Sequence, residues 1–333
     1  MRWALIGAST IARQSMVGAI RANGGEIVSV LSGSAKRAWA FADEHQIPRS
    51  GADLDEILTD PKVEAVYIST TNEKHLPQAL AAVKAGKHVL CEKPLALTLS
   101  DAAAMVRAAR EKGLVFATNH HLRCSGSHRA VRALIASGRI GRVLSLRLHH
   151  AVFLPPHLQG WRINAPDAGG GVIPDITVHD ADVARFLLGE DPVSVVAQMA
   201  SSGLGEGVED SAMSVWTMPS GVMVMSHESF THPFAGSGLE VHGTEGSIFA
   251  RDVMTQNPIG SIELVTVSGR EAIGFEHHDL YAEGVRRFHA AVAGDGEPAA
   301  TGLDGVKSLA VALAVRDAAA RGVRVDVNYG GVR

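Results

Sequence analysis

Short apolar runs alternate with longer helix-forming segments along the first third of the chain. Residues 3–6 are apolar and end at Gly7, and residues 12–22 follow with Ile11, Met16, Val17 and Ile20 at helical spacing. The same order then repeats. Apolar runs at 27–31, 65–69, 89–91 and 115–118 are separated by helical stretches that include 35–44, 77–85 and 99–112. Strands joined by helices of this length pair in parallel through right-handed crossovers. The pattern predicts an α/β Rossmann domain, a doubly wound parallel sheet, over residues 1–122.

After Arg123 the pattern becomes one of consecutive strands. Residues 143–153, 193–200, 212–218, 222–228, 238–243, 247–251 and 261–267 have strand composition, with turn residues at Pro219-Ser220-Gly221 and Gly243-Thr244-Glu245-Gly246. These predict an α+β domain over residues 123–333, built on a large, mainly antiparallel open sheet. A helix at 176–188 is expected to cover one face of it. Helices at 280–292 and 303–321 close the chain, the last packing back on the sheet or on the first domain.

Composition narrows the chemistry. The net charge is −4, from 31 basic and 35 acidic residues, and no basic run with interleaved aromatics tracks a nucleic-acid backbone. Cys91 and Cys124 have neither the number nor the spacing of a disulfide framework or a zinc site, which fits free thiols in a reducing cytoplasm. No stretch approaches the roughly 18 apolar residues of a membrane span. The protein is expected to act on a small molecule, without nucleic acid or membrane as partner. Sixteen histidines, among them the pairs His120-His121 and His149-His150, raise the question of a metal. With no His-Glu-x-x-His helix and no paired cysteines, none is expected.

Gly7-Ala8-Ser9-Thr10-Ile11-Ala12 occupies the first strand-to-helix turn, where a dinucleotide fold carries Gly-x-Gly-x-x-Gly/Ala. Gly7 serves the tight turn and Ala12 permits close helix packing, while Ser9 stands where a second glycine would admit the pyrophosphate. The following helix offers unpaired N–H groups to a phosphate. At the end of the second run the chain reads Ser32-Gly33-Ser34-Ala35-Lys36-Arg37, with no acid to meet a ribose 2′-hydroxyl. Hydroxyls and a guanidinium suit a 2′-phosphate, so NADP(H) is the expected cofactor. At 91–94, Cys91-Glu92-Lys93-Pro94 places a lysine at the carboxyl end of a parallel strand, where open α/β sheets bind their ligands. Further on, Asp175 and His179 follow Gly169-Gly170-Gly171 at a spacing that shares one helical face.

With the degenerate glycine turn, Ser69-Thr70-Thr71-Asn72 before His75, the Glu-Lys-Pro tripeptide and the stretch from Gly169 to Asp180, the chain resembles the glucose–fructose oxidoreductase and inositol dehydrogenase family over nearly its full length. Thr118-Asn119-His120-His121 and Leu154-Pro155-Pro156-His157-Leu158-Gln159-Gly160-Trp161-Arg162 are similar to its NADPH-dependent sugar-ketone reductases. The resemblance implies hydride transfer from NADPH to a ketone. It makes Lys93, Asp175 and His179 the catalytic set: His179 the proton donor, Asp175 its orienting partner and a sugar ligand, Lys93 a substrate donor that stabilises the alkoxide. Lys93 competes for proton donation, although an ordinary lysine titrates near about 10.4 and an ordinary histidine near about 6.5. The resemblance also implies cofactor contacts from Gly7, Ser9, Thr10, Ile11, Ser32, Ser34, Arg37, Thr70, Asn72, His75, Glu92, Lys93, Asn119, Trp161 and Arg162. Substrate contacts fall to Lys93, His150, Arg162, Asp175 and His179. Other sugar or inositol dehydrogenases of the family, and an NAD-dependent glycosidase, are the alternatives. The open sheet leaves a monomer or a homo-oligomer open.

Overall fold

The computed structural model describes residues 1–331, in two compact units: Met1–His121 with Asp279–Val306, and Leu122–His278 with Lys307–Gly331. In the first unit the apolar runs become β1 (Arg2–Ile6), β2 (Glu26–Leu31), β3 (Ser50–Gly51), β4 (Ala65–Ile68), β5 (His88–Cys91) and β6 (Phe116–Thr118). Between them lie α1 (Val17–Ala22), α2 (Ala35–Glu44), α3 (Leu54–Leu58), α4 (His75–Lys84) and α5 (Leu99–Glu111). The strands pair in parallel in the order β3-β2-β1-β4-β5-β6. Because the order reverses between β1 and β4, the carboxyl ends of these two strands open the crevice in which such sheets bind ligands. Trp3, Leu5, Ile6, Tyr67 and Ile68 are almost wholly buried, as strands covered on both faces require. Helix starts are set by side chains: Ser34, Asp53 and Thr98 accept the first free N–H groups of α2, α3 and α5.

The second unit opens with α6 (Gly126–Ala136), β7 (Val143–Ala151), α7 (Pro156–Asn164) and α8 (Val178–Leu188). Seven strands follow: β8 (Ser194–Ala200), β9 (Ser211–Thr217), β10 (Met223–Ser229), β11 (Ser237–Gly243), β12 (Gly246–Arg251), β13 (Ser261–Thr266) and β14 (Gly269–Ile273). Then come α9 (Leu280–Ala293), α10 (Gly302–Arg321) and β15 (Val325–Asp326). The nine-stranded sheet runs β14-β13-β12-β11-β7-β10-β9-β8-β15. Its neighbours are antiparallel except β7 and β10, which pair in parallel from Ser145↔Met223 to Ala151↔Ser229. Leu146, Leu148, Trp216, Val224, Ser226 and Glu228 are buried on the inner face, packed by α6 and α8. Val196, Met213, Val215, Met223 and Met225 are exposed on the outer face.

Residues 279–306 return to the first unit. Trp3 meets Phe288 at a ring separation of 5.0 Å and its Nε1 donates to His289 Nε2 at 3.1 Å, while Asn23 donates to the Ala282 carbonyl at 2.8 Å. α9 thus packs on β1 and α1, and the second unit of this fold is made of two separate stretches. Val332 and Arg333, the end of the expected second domain, lie outside the described residues.

Candidate active site

At the carboxyl end of β1, Gly7 has φ +123°, and a Cβ there would stand 3.0 Å from the backbone and hydroxyl of Ser69. Only glycine fits so close to the end of β4. Ser9 is turned inward: its hydroxyl donates to Ser69 Oγ at 2.8 Å and accepts the Ala12 N–H at 3.1 Å. The side chain that replaces the second glycine is therefore used as a helix cap. Thr10 and Ile11 begin the helical segment, where early N–H groups have no acceptor within the helix. These features fit a dinucleotide pyrophosphate. At the end of β2, Ser32 is buried, Ser34 caps α2 through the Arg37 N–H at 3.4 Å, and the Arg37 guanidinium reaches over Gly33, 3.8 Å from where a Cβ would be. Ser32, Ser34 and Arg37 thus stand together where a ribose 2′-substituent would lie, and no carboxylate opposes a phosphate in that loop.

The Glu-Lys-Pro turn follows β5 and contains a cis Lys93–Pro94 bond. Two contacts hold it. His75, fully buried, places its ring nitrogens 3.0 Å from the Pro94 carbonyl and 3.2 Å from the Thr70 carbonyl, and burial pushes its pKa down. Glu92 receives the Tyr67 hydroxyl at 2.5 Å and the Asn119 amide at 2.6 Å on one oxygen. Burial pushes its carboxyl up, against these two donors and the Lys93 charge. Thr70 donates to Gln78 at 2.7 Å, and Asn72 is buried beside this loop. Thr70, His75, Glu92 and Asn119 therefore build the frame that presents Lys93, and Tyr67 is a member of that frame that no motif marked.

In the second unit a π-helical turn, Ile173–Thr177, carries Asp175 and leads into α8, which begins with Val178 and His179. Gly170 and Gly171 make room for it. A Cβ on Gly170 would stand 2.7 Å from the Trp161 carbonyl, and one on Gly171, at φ +113°, would stand 2.4 Å from Glu209 Oε1. Glu209 accepts the Ile173 N–H at 3.1 Å and its backbone carbonyl accepts that of Val172 at 3.0 Å, so it caps the turn. Asp175 is met by Arg162, Nε to Oδ2 3.4 Å, and the Arg162 guanidinium lies 4.8 Å over the Trp161 ring. Both belong to α7, which kinks at Gly160 (φ 35°) in a stretch whose two prolines give it the look of a loop. His179 is nearly buried. His150, on β7, pairs with Asp180 rather than Asp175, Nδ1 to Oδ1 3.0 Å. Behind them Arg123 donates twice to Asp182 at 2.7 Å, a buried ion pair that fixes α8.

The second unit therefore gathers Trp161, Arg162, Asp175, His150 and His179 around the start of α8, and the first gathers Gly7, Ser9, Thr10, Ile11, Thr70, Asn72, His75, Glu92, Lys93 and Asn119 at the carboxyl ends of β1, β4, β5 and β6. Sequence reasoning missed Tyr67, Glu209, Asp180, Ser226 and Glu228. Ser226 and Glu228 had a readable signal, since they alternate with Val224 on the inward side of β10. Among the described residues no cluster of three His, Cys, Asp or Glu is placed to hold a metal, and no helix is long and apolar enough to cross a membrane.

A Rossmann sheet with a Glu-Lys-Pro turn, together with an Asp and a His on the helix behind a glycine turn, is the arrangement of a nicotinamide-dependent oxidoreductase. Residues 1–120 match the family of oxidoreductases with an NAD-binding Rossmann fold, and residues 128–249 match the GFO/IDH/MocA C-terminal domain. The chain belongs to the GFO/IDH/MocA oxidoreductase family. The 1,5-anhydro-D-fructose reductase of Ensifer adhaerens is 56% identical to it over 330 residues, 99% of either chain. Among solved structures, the aldose-aldose oxidoreductase of Caulobacter crescentus, complexed with glycerol, superposes with a TM-score of 0.90 at 25% identity over 98% of this chain and 99% of its own. A levoglucosan dehydrogenase in complex with NADH and L-sorbose, 24% identical, shares the fold at 0.89, over 99% of each chain.

Proposed function

We propose that the protein reduces the C2 ketone of 1,5-anhydro-D-fructose with NADPH, giving 1,5-anhydro-D-mannitol. The full-length 56% identity to the Ensifer adhaerens reductase carries this reading, and the presence of Lys93, Arg162, Asp175 and His179 supports it. The absence of an acid between Ser32 and Arg37 favours NADPH over NADH, because a carboxylate there would repel a 2′-phosphate. A nicotinamide dinucleotide held at the Gly7 turn supplies the hydride. The chain's own residues handle proton and charge. His179 gives its proton to the C2 oxygen, whose negative charge grows as the carbonyl is reduced. Lys93 offers an ammonium to that oxygen. Asp175, steadied by Arg162, accepts a sugar hydroxyl, and His150 and Arg162 complete the sugar contacts. The enzyme is assigned to the cytoplasm, where the buried Cys91 and Cys124 stay reduced. The apolar outer face around Met213, Val215, Met223 and Met225 is the surface through which copies would pair.

The test is a spectrophotometric panel that follows NADPH and NADH oxidation with 1,5-anhydro-D-fructose, other ketoses, aldoses and an inosose. Rapid turnover of 1,5-anhydro-D-fructose with NADPH is expected. Indifference to that sugar alongside turnover of another would replace the substrate and keep the reaction class. Lys93→Ala and His179→Ala should each lose turnover while still binding NADPH, and unchanged turnover in both would overturn these two roles.

A further inference from the structure

Beneath the sugar-facing residues of the second unit lies a chain of polar side chains buried between β7, β10 and α8. His150 Nδ1 is 3.0 Å from Asp180 Oδ1; Ser226 Oγ is 3.4 Å from Asp180 Oδ2 and in short contact with Glu228 Oε1. Asp180, Ser226 and Glu228 are fully inaccessible. Ser226 has one hydroxyl hydrogen, so it cannot donate to both carboxyl groups. Two carboxylates this close and this deep do not both ionise. Burial first, and the Asp180 charge second, push the Glu228 carboxyl well up, with Ser226 and Thr177 facing it. The arrangement that gives each of these three contacts one donor and one acceptor runs in one direction. Neutral Glu228 donates to Ser226, Ser226 donates to Asp180, and the other Asp180 oxygen accepts the His150 Nδ1–H. His128, the other imidazole beside His150, is held down to about 4, by burial above all, and brings no competing positive charge; His149 on the adjacent strand position is pushed down as well, again by burial.

We propose that Glu228, Ser226 and Asp180 are positioning residues that lock His150 as the Nδ1–H tautomer and so present its Nε2 as a hydrogen-bond acceptor for a hydroxyl of the sugar. This rests on the reading that His150 lines the sugar pocket. A plain structural role for the chain would need no particular proton on His150. An acceptor at Nε2 selects a substrate with a hydroxyl, rather than a carbonyl, at that contact.

The tautomer is read in the full-length enzyme, without sugar, from long-range proton–nitrogen-15 correlations of the imidazoles, with the His150 signals identified by their absence in His150→Asn. The expected pattern is protonated Nδ1 and bare Nε2. Asp180→Leu should give mixed tautomers and raise KM for the sugar about tenfold with kcat within about threefold, the mark of a contact equal in ground and transition states. Glu228→Ala should loosen the tautomer in the same sense, and Glu228→Gln, whose amide repeats the neutral donor, should restore it. Protonated Nε2 in the wild type, or a Glu228→Gln effect as large as that of Glu228→Ala, would overturn the proposal. Both readings survive a failure of Asp180→Leu to fold. Because the tautomer is measured on the resting enzyme, a wrong sugar would appear in the substrate panel and leave this result standing.

Discussion

Replacing Gly171 by alanine tests how the glycine turn holds the helix that carries His179. The new methyl group meets two obstacles. A non-glycine residue at φ +113° costs about 1–3 kcal/mol in backbone strain. The Cβ would also stand 2.4 Å from Glu209 Oε1, far inside contact distance, so the carboxyl must swing away and release the Ile173 N–H, about 1–3 kcal/mol more for a buried polar group left unmet. Together these give about 2–6 kcal/mol. At a central value of about 4 kcal/mol, a unit of this size melts roughly 8–16 °C lower.

The two contributions separate in a double-mutant cycle. In a Glu209→Ala background the added methyl no longer meets that carboxyl, and the backbone cost remains. The two substitutions should therefore be less harmful together than their sum by about 1–3 kcal/mol. Thermal unfolding of the four proteins, followed by calorimetry, measures this. kcat/KM should fall in parallel, because Asp175 and His179 lie immediately after the capped turn. Strict additivity, or a Gly171→Ala melting temperature equal to that of the wild type, would refute the claim that Glu209 and Gly171 were fitted to each other.

Arg37→Ala should raise KM for NADPH about tenfold or more and leave KM for NADH nearly unchanged, as the loss of a charge-assisted contact to a 2′-phosphate predicts; equal losses with both nucleotides would remove Arg37 from cofactor choice. Asp182→Asn leaves the Arg123 guanidinium buried with half its partner, and the urea midpoint of the second unit should fall by an amount equivalent to about 3–5 kcal/mol. Asp210 is subject to burial, which raises its carboxyl, but the N–H groups of Ser202, Leu204 and Gly205 outweigh it and the net shift is downward. A depressed acid stabilises the fold above its unfolded pKa and loses that contribution as pH falls through the folded value. Asp210→Asn should therefore flatten the decline of unfolding free energy below the ordinary aspartate range, and an unchanged slope would count against the assignment.

The first unit was legible because strands buried on both faces are written as unbroken apolar runs, and because helix caps such as Ser34 and Thr98 stand at their starts. The strands of the second unit were legible for the opposite reason: β9 alternates buried and exposed positions from Ala212 to Trp216. Pairing was not legible. Nothing in the composition of β7 or β10 distinguishes a parallel from an antiparallel neighbour, since side-chain alternation is the same in both. β3 and α3 are too short to register as periodic. The side of the molecule on which α9 packs depends on Trp3, almost three hundred residues away in sequence, and local pattern carries no trace of it.

The candidate site was legible as residue types at strand and helix ends, and illegible where the backbone leaves regular geometry. A π-helical turn stands in each unit where chemistry is expected: Ala12–Met16 behind the Gly7 turn and Ile173–Thr177 around Asp175. Such turns interrupt the α-helical bonding ladder and are common at functional positions, yet they are made of ordinary helix-compatible residues. A four-residue spacing read as one α-helical face located Asp175 and His179 but gave no sign of the π turn between them. Asp175 sits in the wider turn and faces Arg162. The regular helix resumes at Val178, and from there Asp180, one residue past His179, reaches inward to His150, Ser226 and the buried acid of β10. The partners of the site thus follow from where the π turn ends, a property of hydrogen bonding in the folded chain that side-chain spacing alone does not encode.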